Sequence, residues 1–222
     1  MHLIATRILV FFALSVLLSA CSNTGYGGFG LTDRGPGGGS SPPPGAFTSS
    51  TADPLGDALA TTGGTAWDIT QVDTSRLLSG AITLTVNVTF AQAISAAILP
   101  APGGTPSGTQ LVATLLFSTG TSNASVHFPP GVCPGNAVVS NVTYLMGLTG
   151  KRLADGNYAI TNAVTGSQTG EASVTFPGPN TASYNVPISA IGAGTGATSM
   201  LAVAGNGFGF TDCAPNAGFI GT

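Results

Sequence analysis

The chain has 222 residues but only five basic and eight acidic ones, for a formal net charge of −3 at pH 7. Its one adjacent basic pair is Lys151-Arg152, so it lacks the clustered positive surface that nucleic-acid binding requires. Mean hydropathy is positive, yet no run approaches the roughly 18 apolar residues that mark a membrane-spanning helix.

The first element is apolar. Arg7 supplies a positive start, and Ile8 to Leu18, "ILVFFALSVLL", is uncharged and interrupted only by Ser15. As a helix this run spans about 16 Å at about 1.5 Å per residue, well short of a bilayer core of about 30 Å. A positive start, a short apolar core and small residues after it form a secretory signal. The small residues end in Leu18-Ser19-Ala20-Cys21, which resembles the lipobox of bacterial lipoproteins. The resemblance implies that residues 1–20 are removed and that the mature chain begins at an acylated Cys21. Each buried acyl methylene contributes about 0.8 kcal/mol, so several chains hold a protein firmly to a membrane. In that family an Asp after the cysteine marks retention in the inner membrane. Here the residue is Ser22, and the resemblance implies an outer-membrane address.

Residues 21–50 read as the lipidated cysteine followed by a tether. Gly, Ser and Pro dominate the segment, with a stiff "PPP" at Pro42 to Pro44. Such a composition buries too little apolar surface to offset the entropy of ordering the backbone. The remainder, 51–222, is the size of one ordinary domain. With Cys21 assigned to lipid, Cys133 and Cys213 are an even pair in an exported domain, where the compartment favours a disulfide. That bond would contribute roughly 3–4 kcal/mol in the chain-entropy model. Two buried free thiols are the alternative.

Within the domain the clearest element is "AITLTVNVTF", Ala81 to Phe90. There Ile82, Leu84, Val86, Val88 and Phe90 alternate with Thr83, Thr85, Asn87 and Thr89. A strict period of two marks a half-buried strand. Further strands are predicted over Trp67 to Asp73, Leu111 to Ser118, Ala137 to Met146, Tyr158 to Val164, Ala172 to Phe176, Ser183 to Ile188 and Ser199 to Ala204. Gly- and Pro-rich turns separate them. Ile94 to Leu99 fits a short helix or a strand, and "PISAIG" at Pro187 fits a single helical turn. Short strands with almost no helical periodicity predict an all-β fold, a single antiparallel β-sandwich of jelly-roll type.

Five segments together carry a looser resemblance. They are "DPLGDA" at Asp53, "WDITQVDTS" at Trp67, the alternating strand, "YNVPISAIG" at Tyr184 and "FTDCAPNAGF" at Phe210. In this order they resemble exported β-sandwich domains of the DOMON and family-9 carbohydrate-binding type. Those relatives carry an acidic stretch and a Thr-Gly turn on the central strand. Here "LLFSTGTSNAS", Leu115 to Ser125, keeps Thr119-Gly120 and lacks the acids.

The chemistry-bearing residues are few. The mature chain has one histidine, His127, and one glutamate, Glu171, and no G-x-S-x-G elbow. Nothing in the spacing selects a pair of carboxylates for glycoside hydrolysis, so no catalytic residue is expected. Asp53, Asp57, Asp68 and Asp73 gather near the start of the domain. Oxygen-rich loops of this kind suit calcium, which takes six to eight oxygen ligands. The competing reading places them at turns and strand ends in solvent. Trp67, Tyr144, Tyr158 and Tyr184 could stack on a sugar, or pack in the core with their polar tips at the rim. These observations predict a non-enzymatic lipoprotein on the cell envelope, held to the membrane by Cys21, with an envelope protein or a polysaccharide as its partner. The alternative is a carbohydrate-binding module that uses calcium.

Overall fold

The computed structural model describes residues 46–77, 82–120, 122–192 and 198–222. The signal, the Cys21 lipidation site and the tether up to residue 45 lie outside them. Among the described residues no helix is long and apolar enough to cross a membrane.

The domain is all-β and antiparallel. Among the described residues thirteen strands run in chain order: β1 Ala46–Ala52, β2 Ile69–Leu77, β3 Thr83–Phe90, β4 Val112–Ser118, β5 Ser125–His127, β6 Val138–Ser140, β7 Tyr144–Met146, β8 Tyr158–Asn162, β9 Gln168–Gly178, β10 Thr181–Pro187, β11 Ser199–Asn206, β12 Gly209–Ala214 and β13 Ile220–Gly221. Eleven form one sheet in the order β1-β2-β3-β10-β9-β8-β7-β4-β11-β12, with β13 also paired to β11, while β5 and β6 form a separate ribbon. The sheet curves nearly into a barrel, so that β12 returns beside β2. A sandwich-like interior therefore forms inside one continuous sheet.

β3 behaves as its sequence dictates. Leu84, Val86, Val88 and Phe90 are buried, and the intervening Thr and Asn residues are half-buried. The inner faces of β2, β3, β4, β8, β10 and β11 enclose a core that includes Ile69, Val86, Phe90, Leu115, Phe117, Ile160 and Tyr184. β4 is buried on both faces. Its outer face carries Leu116, which belongs to a second cluster with Phe128, Val132, Val139, Leu145, Leu201 and Val203. That cluster lies under the excursion between β4 and β7, which includes the β5–β6 ribbon. The Cys133–Cys213 disulfide fastens the excursion to β12. Beside it the Asn136 side chain donates to the carbonyls of Pro215 and Gly218 at 3.1 and 3.0 Å. Gly135 lies so close to the 216–217 backbone that a Cβ would come within 2.5 Å of the Asn216 carbonyl oxygen.

Several predicted elements differ in detail. The Ala137 to Met146 strand is two, β6 and β7, in different sheets. Asn141 between them takes φ 61°, a left-handed turn that breaks the extended run. Ile94 to Leu99 holds a 3-10 turn at Ala96–Ile98, and Ile188–Ile191 forms the helical turn expected after Pro187, ending at Gly192. β1 begins inside the stretch read as tether and pairs along its length with β2.

Tyr158 and Tyr184 lie inside the main core with ring centroids 6.2 Å apart. Both hydroxyls are buried without a hydrogen-bond partner. Burial pushes the Tyr184 phenol well above its ordinary range and Tyr158 up to about 12. An unpartnered buried hydroxyl is a net cost. Tyr184→Phe is therefore expected to raise stability by about 1 kcal/mol, read from urea denaturation midpoints at constant slope. A loss of similar size would mean that the hydroxyl has a partner.

Candidate metal centre

The seam where the curved sheet meets itself is closed by side chains and not by a strand ladder. The Ile69 amide at the start of β2 donates to Asp212 Oδ2 on β12 at 2.6 Å. The Thr211 hydroxyl donates to the Trp67 carbonyl at 2.8 Å. The segment 53–68 between β1 and β2 lies along β12, with the Leu59 amide donating to the Thr211 carbonyl at 2.7 Å. It covers a strand edge that would otherwise offer unpaired backbone groups.

Three carboxylates meet on this seam. Asp53, Asp57 and Asp212 each bring an oxygen into one group whose atoms all lie within 4.8 Å of one another. Asp53 directly follows β1, and its amide continues the ladder to the Thr70 carbonyl at 2.9 Å. The "DPLGD" turn then reverses the chain through Gly56 at φ 86° and brings Asp57 back beside it. Asp68 precedes β2. Its Oδ2 accepts the Gly56 amide at 2.8 Å and so holds the turn in place. Asp212 also accepts the amide of Cys213 at 2.8 Å. Asn216, in the loop after β12, donates its side-chain amide to Asp57 Oδ2 at 2.5 Å.

The electrostatics are unfavourable as they stand. Asp53 is pushed up to about 8, first by desolvation and then by the charges of Asp212, Asp57 and Asp68, against a lowering bond from the backbone N–H of Asn216. Asp212 is raised to about 7, again chiefly by burial, with Asp57 and Asp68 adding and the amides of Ile69 and Cys213 opposing. The charges acting on both are other carboxylates. Four side-chain oxygens here are buried with no hydrogen-bond partner: Asp53 Oδ2, Asp57 Oδ1, Asp68 Oδ1 and Asn216 Oδ1. The donor set is hard oxygen only, which suits calcium and not the nitrogen and sulfur sites of zinc.

Of the four sequence-selected aspartates the structure brings Asp53 and Asp57 into this group, places Asp68 at its turn as the acceptor of the Gly56 amide, and leaves Asp73 out. Asp73 lies on the outward parity of β2, between the buried Val72 and Thr74, and accepts from Gln71 Nε2 at 2.8 Å. Its place is taken by Asp212, which sequence proximity could not select because it arrives from the other end of the domain. Its position immediately before a disulfide cysteine was the one available signal.

The aromatic candidates divide differently. Trp67 and Tyr158 are core residues, 4% and 0% exposed, so they offer no face to a sugar. Trp67 packs edge-on against Phe90 at 6.5 Å. Tyr144 is half-buried and lines a shallow depression of about 350 Å³ with Ser122, Asn123, Thr143, Asn162 and Val164. His127 is exposed on β5. Glu171 accepts from Asn157 and Gln168, and Asn157 also donates to Asp155. No protein-family model, no curated protein and no solved structure matches the chain.

Proposed function

We propose that this chain is a non-enzymatic lipoprotein of the cell envelope whose role is structural or binding. Cys21 carries the anchor, the Gly/Ser/Pro-rich segment spaces it from the membrane, and the all-β domain presents its loops to a partner. The observation that carries this reading is the sequence Leu18-Ser19-Ala20-Cys21 at the end of a short apolar run. It is supported by the Gly-, Ser- and Pro-rich composition that follows. Ser22 after the cysteine favours the outer membrane as the destination. The carbohydrate-binding alternative gains no aromatic platform from Trp67 or Tyr158, both of which are buried.

The test is fractionation of cells expressing the full chain and its Cys21→Ala variant. The wild-type protein is expected in the membrane fraction and extractable only with detergent. The variant, lacking the thioether-linked lipid, is expected to shift almost wholly to the soluble fraction. An unchanged membrane partition would overturn the anchor.

A further inference from the structure

We propose that Asp53, Asp57 and Asp212 bind one calcium ion that locks segment 53–68 onto the end of β12. The first argument is geometric. Two oxygens that ligate one calcium at 2.3–2.6 Å lie at most about 5 Å apart, and the oxygens of Asp53, Asp57 and Asp212 all fall within 4.8 Å of one another. The second is the set of orphans. Asp53 and Asp68 are 8% and 4% exposed, and each turns one oxygen into the interior with nothing to accept from. Natural structures rarely leave such atoms unsatisfied, and each one calls for a ligand, an ion or a water. Asp57 Oδ1 and Asn216 Oδ1 are in the same condition. A single divalent cation held by Asp53, Asp57 and Asp212 would give the orphaned oxygens of Asp53 and Asp57 a partner and offset the mutual repulsion of the carboxylates, and water would complete the coordination.

The ligands also come from both sides of the seam. Asp53 and Asp57 belong to the β1–β2 connection, whereas Asp212 belongs to β12. No backbone ladder joins β2 to β12. An ion held by both sides therefore does the work of the missing pairing. It also braces β12, which carries Cys213 and, through the disulfide, the β4–β7 excursion.

The test uses the full chain purified in detergent and stripped with EDTA, and then melted alone, with calcium or with magnesium. Extracellular calcium modules bind at about 10⁻⁴–10⁻³ M. Calcium at about 10 mM is then expected to raise Tm by roughly 5–10 °C. Magnesium, which demands octahedral geometry and gives up its waters reluctantly, is expected to give less than about a third of that shift. The only tryptophan, Trp67, adjoins Asp68, so its fluorescence should titrate with calcium to a stoichiometry of one. Asp57→Asn keeps the turn and an acceptor for Asn216, yet should weaken calcium binding at least about tenfold. Asp73→Asn should leave it unchanged. No thermal shift with calcium, an equal shift with magnesium, or full affinity in Asp57→Asn would each overturn the proposal.

Discussion

Replacing Cys133 and Cys213 together by alanine is expected to lower the stability of the domain by about 4 kcal/mol and its Tm by about 10 °C. The bond joins residues 80 apart in sequence, so its loss frees a long loop in the unfolded chain, which is where the chain-entropy model puts the effect. The folded state suffers as well. Much of the cover over the outer face of Leu116, Leu201 and Val203 comes from the β4–β7 excursion, through Phe128, Val132 and Val139. That cover is held by the disulfide, by Asn136 and by the Phe128–Phe210 edge contact at 5.6 Å. With the bond gone, the excursion should open below the global transition and become the first site of proteolysis. The double variant avoids leaving one buried thiol alone, and scanning calorimetry beside limited proteolysis reads both effects. A Tm shift under about 2 °C would mean that the excursion is held by its packing alone.

How far the fold could be read from the sequence depended on parity. β3 was legible because five apolar residues alternate with Thr and Asn, and the structure buries four of them on one face. β4 was legible as a continuous apolar run, but its reason was not. It is buried twice, inside by the main core and outside by an excursion whose path no local pattern reveals. β1, "AFTSSTA", carries small polar residues beside a Pro-rich stretch and has no alternation to detect; pairing with β2 makes it a strand. β12, "GFTDCA", was missed for a similar reason.

The acidic group shows the same limit. Asp53 and Asp57 are close in sequence and meet because one turn, held by Asp68 through the Gly56 amide, brings them round. Asp73 fails on parity, since Val72 and Thr74 point inward. Asp212 joins only because the sheet closes on itself, a property of the whole strand order and not of any segment.

Trp67→Ala is expected to cost about 3–5 kcal/mol, the range for removing a large aromatic from a core. Trp67 sits at the seam, 4% exposed, with its ring edge-on to Phe90 and its carbonyl accepting from Thr211. Its removal leaves a cavity where the 53–68 segment enters β2, next to Asp68 and to the Ile69–Asp212 bond. A ring displayed to solvent for stacking on a sugar would behave in the opposite way. Its loss would cost within about 0.5 kcal/mol, the usual scale for a surface change, and would abolish only binding. The native fluorescence of Trp67 should accordingly be blue-shifted and resist quenching by acrylamide until the domain unfolds. The two measurements together separate a seam plug from a ligand platform. A stable, quenchable variant series would return Trp67 to the surface, whereas a large loss with a shielded ring ties the integrity of the acidic centre to the core beneath it.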